Sequence, residues 1–262
     1  MDLAGGSLRA AREFQRVEVD GQPATVEQLA HPAVLNYGHF TAMQVRRGRA
    51  RGLHLHLDRL VTATRELFDA TLDPELVRHH LRHALADTPD ANVRVNLFQP
   101  SDEPAVMVTV RPPLEPPAAP VRLRSVRYQR PVPHIKHVGS FAQIYHGRRA
   151  QADGFDDALL VGPDGTVSET STGNLALIGR DALIWPDAPC LAGITMQLLV
   201  GVVPTRRAAV RLADAPTFAA ALVANSIGIA PVAAIDDVAI PVDAARMRTV
   251  LDAYAAVPWD VI

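Results

Sequence analysis

The ten residues RPPLEPPAAP, 111–120, contain five prolines. Proline has no backbone N–H and holds φ near one value, so a stretch this dense belongs in neither a helix interior nor the middle of a sheet; it runs as an extended connector. It splits the 262 residues into two parts, 1–110 and 121–262, each of which must find its own core. The chain is 48% hydrophobic and 21% charged, ordinary for soluble globular domains of this size.

Before the connector, strands and helices alternate. EFQRVEV (13–19) meets Asp20-Gly21, which predicts a strand, a tight turn and a second strand. Between 35 and 57, Phe40, Ala42 and Val45, a turn at Arg47-Gly48 and the alternation Leu53, Leu55, Leu57 predict another pair. Leu60, Val61, Thr64, Leu67 and Phe68 share a helical face from Asp58 on, and Asp73-Pro74 opens a second helix over 74–87. NVRVNLF (92–98) and AVMVTVR (105–111) read as strands. After the connector come a strand at VRLRSVRY, a helix over 138–153 and a strand at DDALLVG (156–162), closed by the turn Pro163-Asp164-Gly165. Strands follow at 166–169, 173–178 and 182–185, then a helix from Ile194-Thr195 and a last helix over 243–255. The apolar run 218–238 breaks at Asn225-Ser226 and Pro231 and predicts a short helix, a strand and a loop.

Several function classes are disfavoured at once. A net charge of −2 offers no electrostatic pull toward nucleic acid or a membrane surface. A single cysteine, Cys190, forbids an intramolecular disulfide and a multi-cysteine metal site. No apolar run reaches the length of a membrane span, and MDLAGGSLRAAREF lacks the apolar core of a signal peptide. The expectation is a cytoplasmic protein. His54 and His56 fall on one face of an expected strand, and His79, His80 and His83 on a helix, but nothing specifies a third ligand, so no metal site is expected.

Lysine occurs once, at Lys136. Arginine serves equally well as a solvated surface charge, but its high pKa bars it from forming a Schiff base. A chain that has exchanged every other lysine for arginine and kept this one points to amine chemistry at Lys136.

Four local matches, in order, carry a resemblance: HLDRL at 56–60, the Lys136 segment, GFDDALLVGPDGTVSETSTGNLALI at 154–178, and LAGIT at 191–195 with APVAAID at 230–236. Together they resemble the class IV aminotransferases, the fold-type IV pyridoxal-phosphate enzymes that include branched-chain and D-amino-acid aminotransferases and 4-amino-4-deoxychorismate lyase. The resemblance implies a two-domain α/β (α+β) fold of the D-amino-acid aminotransferase type, a smaller amino-terminal domain and a larger carboxyl-terminal one built on a bent sheet. It implies Lys136 as the Schiff-base and proton-shuttling lysine, and Glu169 against the pyridine nitrogen. Arg59 and the backbone N–H groups of Ile194 and Thr195 would hold the phosphate, Gly193 letting the chain approach and Leu191 covering one ring face. Asn225 and Ser226 would form a second phosphate turn, and Asn174 would order the turn after Glu169.

The substrate side departs from the family. Many members carry Phe-Glu or Tyr-Glu where this chain has Phe40-Thr41, closer to the lyase branch; a tyrosine after the lysine is replaced by VGSF, and a frequent arginine by Gln44. Tyr37, His39, Thr41, Arg46 and Arg47 are the candidates there. The implied activity is amino transfer between an amino acid or amine and a 2-oxo acid, by a homodimer. The alternatives are a lyase on the same cofactor and a homologue without turnover.

Overall fold

The computed structural model describes residues 14–262, so Glu13 of the expected first strand and all but Phe14 of the amino-terminal stretch read for a signal peptide lie outside the described residues. The chain forms two compact units.

The first unit comprises the described residues through Leu114, together with Ile135–Gly139 and Pro258–Ile262. Its strands are β1 (Arg16–Val19), β2 (Gln22–Pro23), β3 (His39–Arg46), β4 (Arg49–Arg51), β5 (Ala91–Phe98) and β6 (Ala105–Arg111), joined by a carboxyl-terminal strand, Trp259–Val261. They make one antiparallel sheet in the order Trp259–Val261, β4, β3, β5, β6, β1, β2. The alternation of β5 shows how the faces divide. Val93, Val95 and Leu97 are fully buried in the core with β6 and two helices, α2 (Leu53–Phe68) and α3 (Pro74–Leu85), which follow α1 (Val26–Val34). Arg94 and Asn96 point to the opposite face, where Phe40, paired with Asn96 across β3 and β5, also lies.

Two readings change here. Leu53, Leu55 and Leu57, expected to continue a strand, form the opening of α2. Leu53 and Leu57 are also spaced i, i+4, and both are buried with Leu60. Gly52, at φ 64°, turns the chain into the helix, and the Leu53 N–H donates to Asp260 Oδ2 at 2.8 Å, a cap supplied by a residue 207 positions away. The helix α1 was not foreseen, although Thr25 and Gln28 close a capping box at its start.

The second unit comprises Glu115–His134 and Ser140–Val257. It contains β7 (Val121–Arg127), α4 (Phe141–Ala152), β8 (Asp157–Val161), β9 (Val167–Thr170), β10 (Asn174–Ile178), β11 (Leu183–Pro186), α5 (Ile194–Val200), β12 (Thr205–Ala208), β13 (Ala220–Ala224), β14 (Ile229–Ile235), β15 (Val238–Ala239) and α6 (Ala244–Ala255). The sheet is mixed, in the order β12, β11, β10, β13, β14, β7, β8, β9, with β15 on β14. Residues expected as a short helix near 218 are instead the central strand β13, antiparallel to β14. All five residues of β13 are buried, so neither period 2 nor period 3.6 shows in the sequence.

The division also differs from a simple cut at the connector. Ile135–Gly139 joins the first unit because the Phe40 N–H donates to Lys136 O and the Val138 N–H to Gly38 O, both at 2.9 Å. Pro258–Ile262 joins it by pairing with β4. Neither long-range pairing leaves a trace in local composition. Among the described residues no helix is long and apolar enough to cross a membrane.

Candidate active site

The site residues fall into two groups, one per unit. In the first unit, Lys136 is placed by its backbone: bonds to Phe40 and Gly38 lay residues 136–138 beside the start of β3, with an isolated bridge between His39 and His137. Gly38 is needed there, since a Cβ would stand 2.5 Å from Leu97 O. The Lys136 amine then lies 4.8 Å from the centroid of the Phe40 ring, and the guanidinium carbon of Arg94 lies 3.5 Å from the same centroid. Burial, and then Arg111, lower the Arg94 pKa to about 10, and its Nε donates to Asn96 Oδ1 at 2.8 Å.

On the helix-facing side of β3, Thr41 is fully buried and its Oγ1 meets both Arg59 Nη2 and His56 Nδ1, the latter at 2.6 Å. Arg59 and His56 come from the first two turns of α2, three residues apart and so on one face. Burial lowers the Arg59 pKa to about 10, and its Nε is buried without a hydrogen-bond partner. His56 is held well below the ordinary histidine range by burial, then by the charges of Arg59, Lys136 and His54.

His39 bonds Thr64 Oγ1 at 3.0 Å through Nε2 and is 1% exposed. Burial, then Arg59, bring its pKa from 6.5 to about 4. The unfolded imidazole takes up a proton as pH falls through 6.5, whereas the folded one does so only near 4. Over that window the unfolded state binds more protons, so the stability His39 contributes above 6.5 is lost progressively toward pH 4, by about 2 kcal/mol between pH 7 and pH 5. Urea unfolding at those two pH values should show His39→Asn losing correspondingly less stability than wild type; parallel losses would assign the effect elsewhere.

In the second unit Glu169, 6% exposed on β9, accepts from Arg130 Nε at 3.0 Å through Oε1 and from the Leu191 N–H at 3.2 Å through Oε2. Asn174 Nδ2 donates to Leu191 O at 2.7 Å. A Cβ on Gly193 would collide with Asn174 Oδ1, so only glycine lets the 191–193 loop lie against β10. The loop leads directly into α5, whose N-cap Gly193 makes no side-chain cap bond. Ile194 and Thr195 are buried in its first turn, and Thr195 Oγ1 donates to Asn225 O at 2.7 Å. Asn225 Oδ1 in turn accepts from the Ile227 N–H at 2.8 Å and orders the β13–β14 turn that carries Ser226. Burial, then Glu169, raise the Cys190 pKa.

The expected residues thus gather as Lys136, Arg59, Thr41 and His39 in one unit and Glu169, Leu191, Gly193, Ile194, Thr195, Asn225 and Ser226 in the other. Tyr37 is 57% exposed and donates to Leu67 O at 3.1 Å. Arg46 donates to Gln44 Oε1, Val45 O and Leu114 O at 3.0–3.1 Å. Arg47 lies in the β3–β4 turn at φ 53°. Three residues went unread: Arg130, Arg94 and the role of His56. Only His56 carried a signal, three positions ahead of Arg59, and the expected strand hid it. Among the described residues no group of three or more His, Cys, Asp or Glu side chains could hold a metal.

The first unit thus offers a lysine over an aromatic ring and a buried arginine with one unmet donor, and the second a buried carboxylate and a glycine-led helix start. The family pattern described as amino-transferase class IV matches residues 38–235, and the chain belongs to that family. Among solved structures, a branched-chain aminotransferase from Thermoproteus uzoniensis with norvaline superposes with a TM-score of 0.82 at 17% identity, covering 93% of this chain and 94% of that one. A hypothetical aminotransferase from Mycobacterium tuberculosis, in its PLP-bound form, gives 0.77 at 21% identity, covering 87% and 90%. The 4-amino-4-deoxychorismate lyase of Pseudomonas aeruginosa gives 0.74 at 25% identity, covering 90% and 96%. No curated protein matches the sequence.

Proposed function

We propose that the protein is a pyridoxal-phosphate-dependent aminotransferase that moves an amino group between an amino acid or amine and a 2-oxo acid. The observation that carries this reading is the chain's one lysine, held through Lys136 O and the Val138 N–H to Phe40 and Gly38, with its amine over the Phe40 ring. The residues fit the cofactor: Arg59 has an unmet buried donor for an anion, and the first turn of α5 starts without a side-chain cap. The cofactor, when bound, supplies a reactive aldehyde carbon and a ring that accepts the electron pair left when the substrate loses a proton.

In this reading Lys136 would hold the cofactor through its amine, and the same amine, when neutral and free, would be the base that carries the proton taken from the substrate carbon. Glu169, oriented by Arg130 and the Leu191 N–H, keeps a proton on the ring nitrogen. Arg59 and the Ile194 and Thr195 amides bind the phosphate, with Asn225 and Ser226 at the adjoining turn, and Leu191 excludes water from one ring face. Tyr37, His39, Thr41 and Arg46 are the substrate-side positions that the family resemblance offers. A homodimer in the cytoplasm is the matching assembly; the chain's lone cysteine suits a reducing compartment.

Two observations favour a second reading, a lyase of the 4-amino-4-deoxychorismate type: Thr41 stands after Phe40 where many family aminotransferases have glutamate, and the Pseudomonas lyase reaches 25% identity. The near-visible absorption of the cofactor-loaded protein separates them. Bleaching with an amino donor alone and recovery with a 2-oxo acid is the expected result. Pyruvate released from 4-amino-4-deoxychorismate with no second substrate, and no bleaching by any amino acid, would give the lyase. Protein that takes up no pyridoxal phosphate would sink both.

A further inference from the structure

Thr41, His56 and Arg59 form a hydrogen-bonded chain through one buried hydroxyl. A guanidinium has donors and no acceptor, so in its contact with Thr41 Oγ1 Arg59 donates and the hydroxyl accepts. The hydroxyl has two lone pairs and one proton, and among the described residues His56 Nδ1, at 2.6 Å, is the one acceptor that proton has, so the arrangement that leaves no buried donor unmet puts it on that contact. That requires a neutral imidazole with its proton on Nε2. His56 is 3% exposed and shares its surroundings with Arg59, Lys136 and His54, each of which opposes a further positive charge. The order Arg59 to Thr41 to His56 is therefore consistent at every atom.

The chain's charge is the second point. Thr41 and His56 are both neutral, and among the described residues no carboxylate stands within ion-pair distance of Arg59. One more of its donors, Nε, is buried with nothing to bond. An unpaired cation in such a place is costly until an anion arrives. A carboxylate at position 41 would orient the guanidinium equally well but would cancel the charge. A hydroxyl locked by a neutral histidine orients it and leaves the charge intact.

We propose that Thr41 and His56 are positioning residues: a neutral relay that aims Arg59 and reserves its full charge for a phosphate dianion, so that this trio sets the protein's preference for pyridoxal phosphate over pyridoxal. The inference rests on the reading of Arg59 as a phosphate ligand, and it moves Thr41 from substrate contact to cofactor selection.

The test is equilibrium binding to the cofactor-free protein, with pyridoxal phosphate and pyridoxal titrated separately and inorganic phosphate as competitor. Removing one charge-assisted hydrogen bond should cost Thr41→Val about tenfold in affinity for pyridoxal phosphate and for inorganic phosphate, with pyridoxal affinity unchanged within about twofold. Thr41→Ser keeps the hydroxyl and should restore the wild-type ratio, which separates loss of the relay from damage to the fold. His56→Leu should follow Thr41→Val. Wild-type ratios in Thr41→Val and His56→Leu would overturn the relay, as would equal weakening of both ligands. Wild-type protein that binds both ligands with no phosphate preference would overturn this inference while leaving the enzyme assignment standing; protein that binds neither would overturn both.

Discussion

On the proposed mechanism, replacing Lys136 with alanine is expected to lower amino-group transfer by about 10³-fold or more, because it would remove both the amine proposed to hold the cofactor and the base proposed to move the proton. The fold should survive. Residues 136–138 are attached to β3 through backbone atoms, Lys136 O and the Val138 N–H, which the substitution leaves in place. Thermal unfolding of the cofactor-free variant within a few degrees of wild type, alongside loss of the near-visible band on adding pyridoxal phosphate, is the expected pair of results. Lys136→Arg should be equally inactive, since a guanidinium stays protonated and cannot attack a carbonyl carbon. An added small primary amine should restore part of the proton-transfer rate to the alanine variant and none to a variant that has failed to fold. Full turnover in Lys136→Ala would remove the observation on which the functional proposal stands.

The second large effect is on stability. Arg130 and Glu169 are a buried ion pair, with side chains 4% and 8% exposed. Arg130→Met leaves the Glu169 carboxylate in the protein with the Leu191 N–H as its one other described donor. Breaking such a pair from one side costs about 3–5 kcal/mol. Adding Glu169→Gln removes the stranded charge, so the double variant should regain much of the loss. Urea denaturation of the two single variants and the double variant gives the coupling directly. A loss of under about 1 kcal/mol in Arg130→Met would mean that the carboxylate finds water, and that Arg130 does not hold it. The pair also matters for the chemistry: two donors from two elements fix the plane of the carboxylate that the proposed mechanism sets against the ring nitrogen, and cofactor affinity in Arg130→Met should fall along with stability.

Much of this was legible residue by residue. The alternation in β5 and β6, the turn before β9 and the proline-rich connector are local signals, and each names its element because its side-chain period or missing amides act within a few residues. Lys136 stood out because arginine occupies every other basic position, and Arg59 because HLDRL is a compact pattern. The failures have physical causes of the same kind. The opening of α2 reads equally as a strand, and what decides it is the packing of Leu53, Leu57 and Leu60 and a cap from Asp260. The strand β13 sits in the middle of its sheet with both faces covered, so its sequence carries no periodicity.

The partners of the chemical groups were beyond reach for another reason. Arg130 reaches Glu169 across 39 positions, and Arg94 and Lys136, remote in sequence, both stand against the Phe40 ring. From the sequence alone came the family, the order of most elements and the candidates for the reactive groups, since these depend on local period, on turn chemistry and on which side chains can do the reaction. Only the tertiary structure decided that Ile135–Gly139 joins the first unit, that Glu169 is paired and that Arg59 meets the Thr41 hydroxyl. Long-range pairing, burial and charge compensation are properties of neighbours in space, and chain order does not encode them locally.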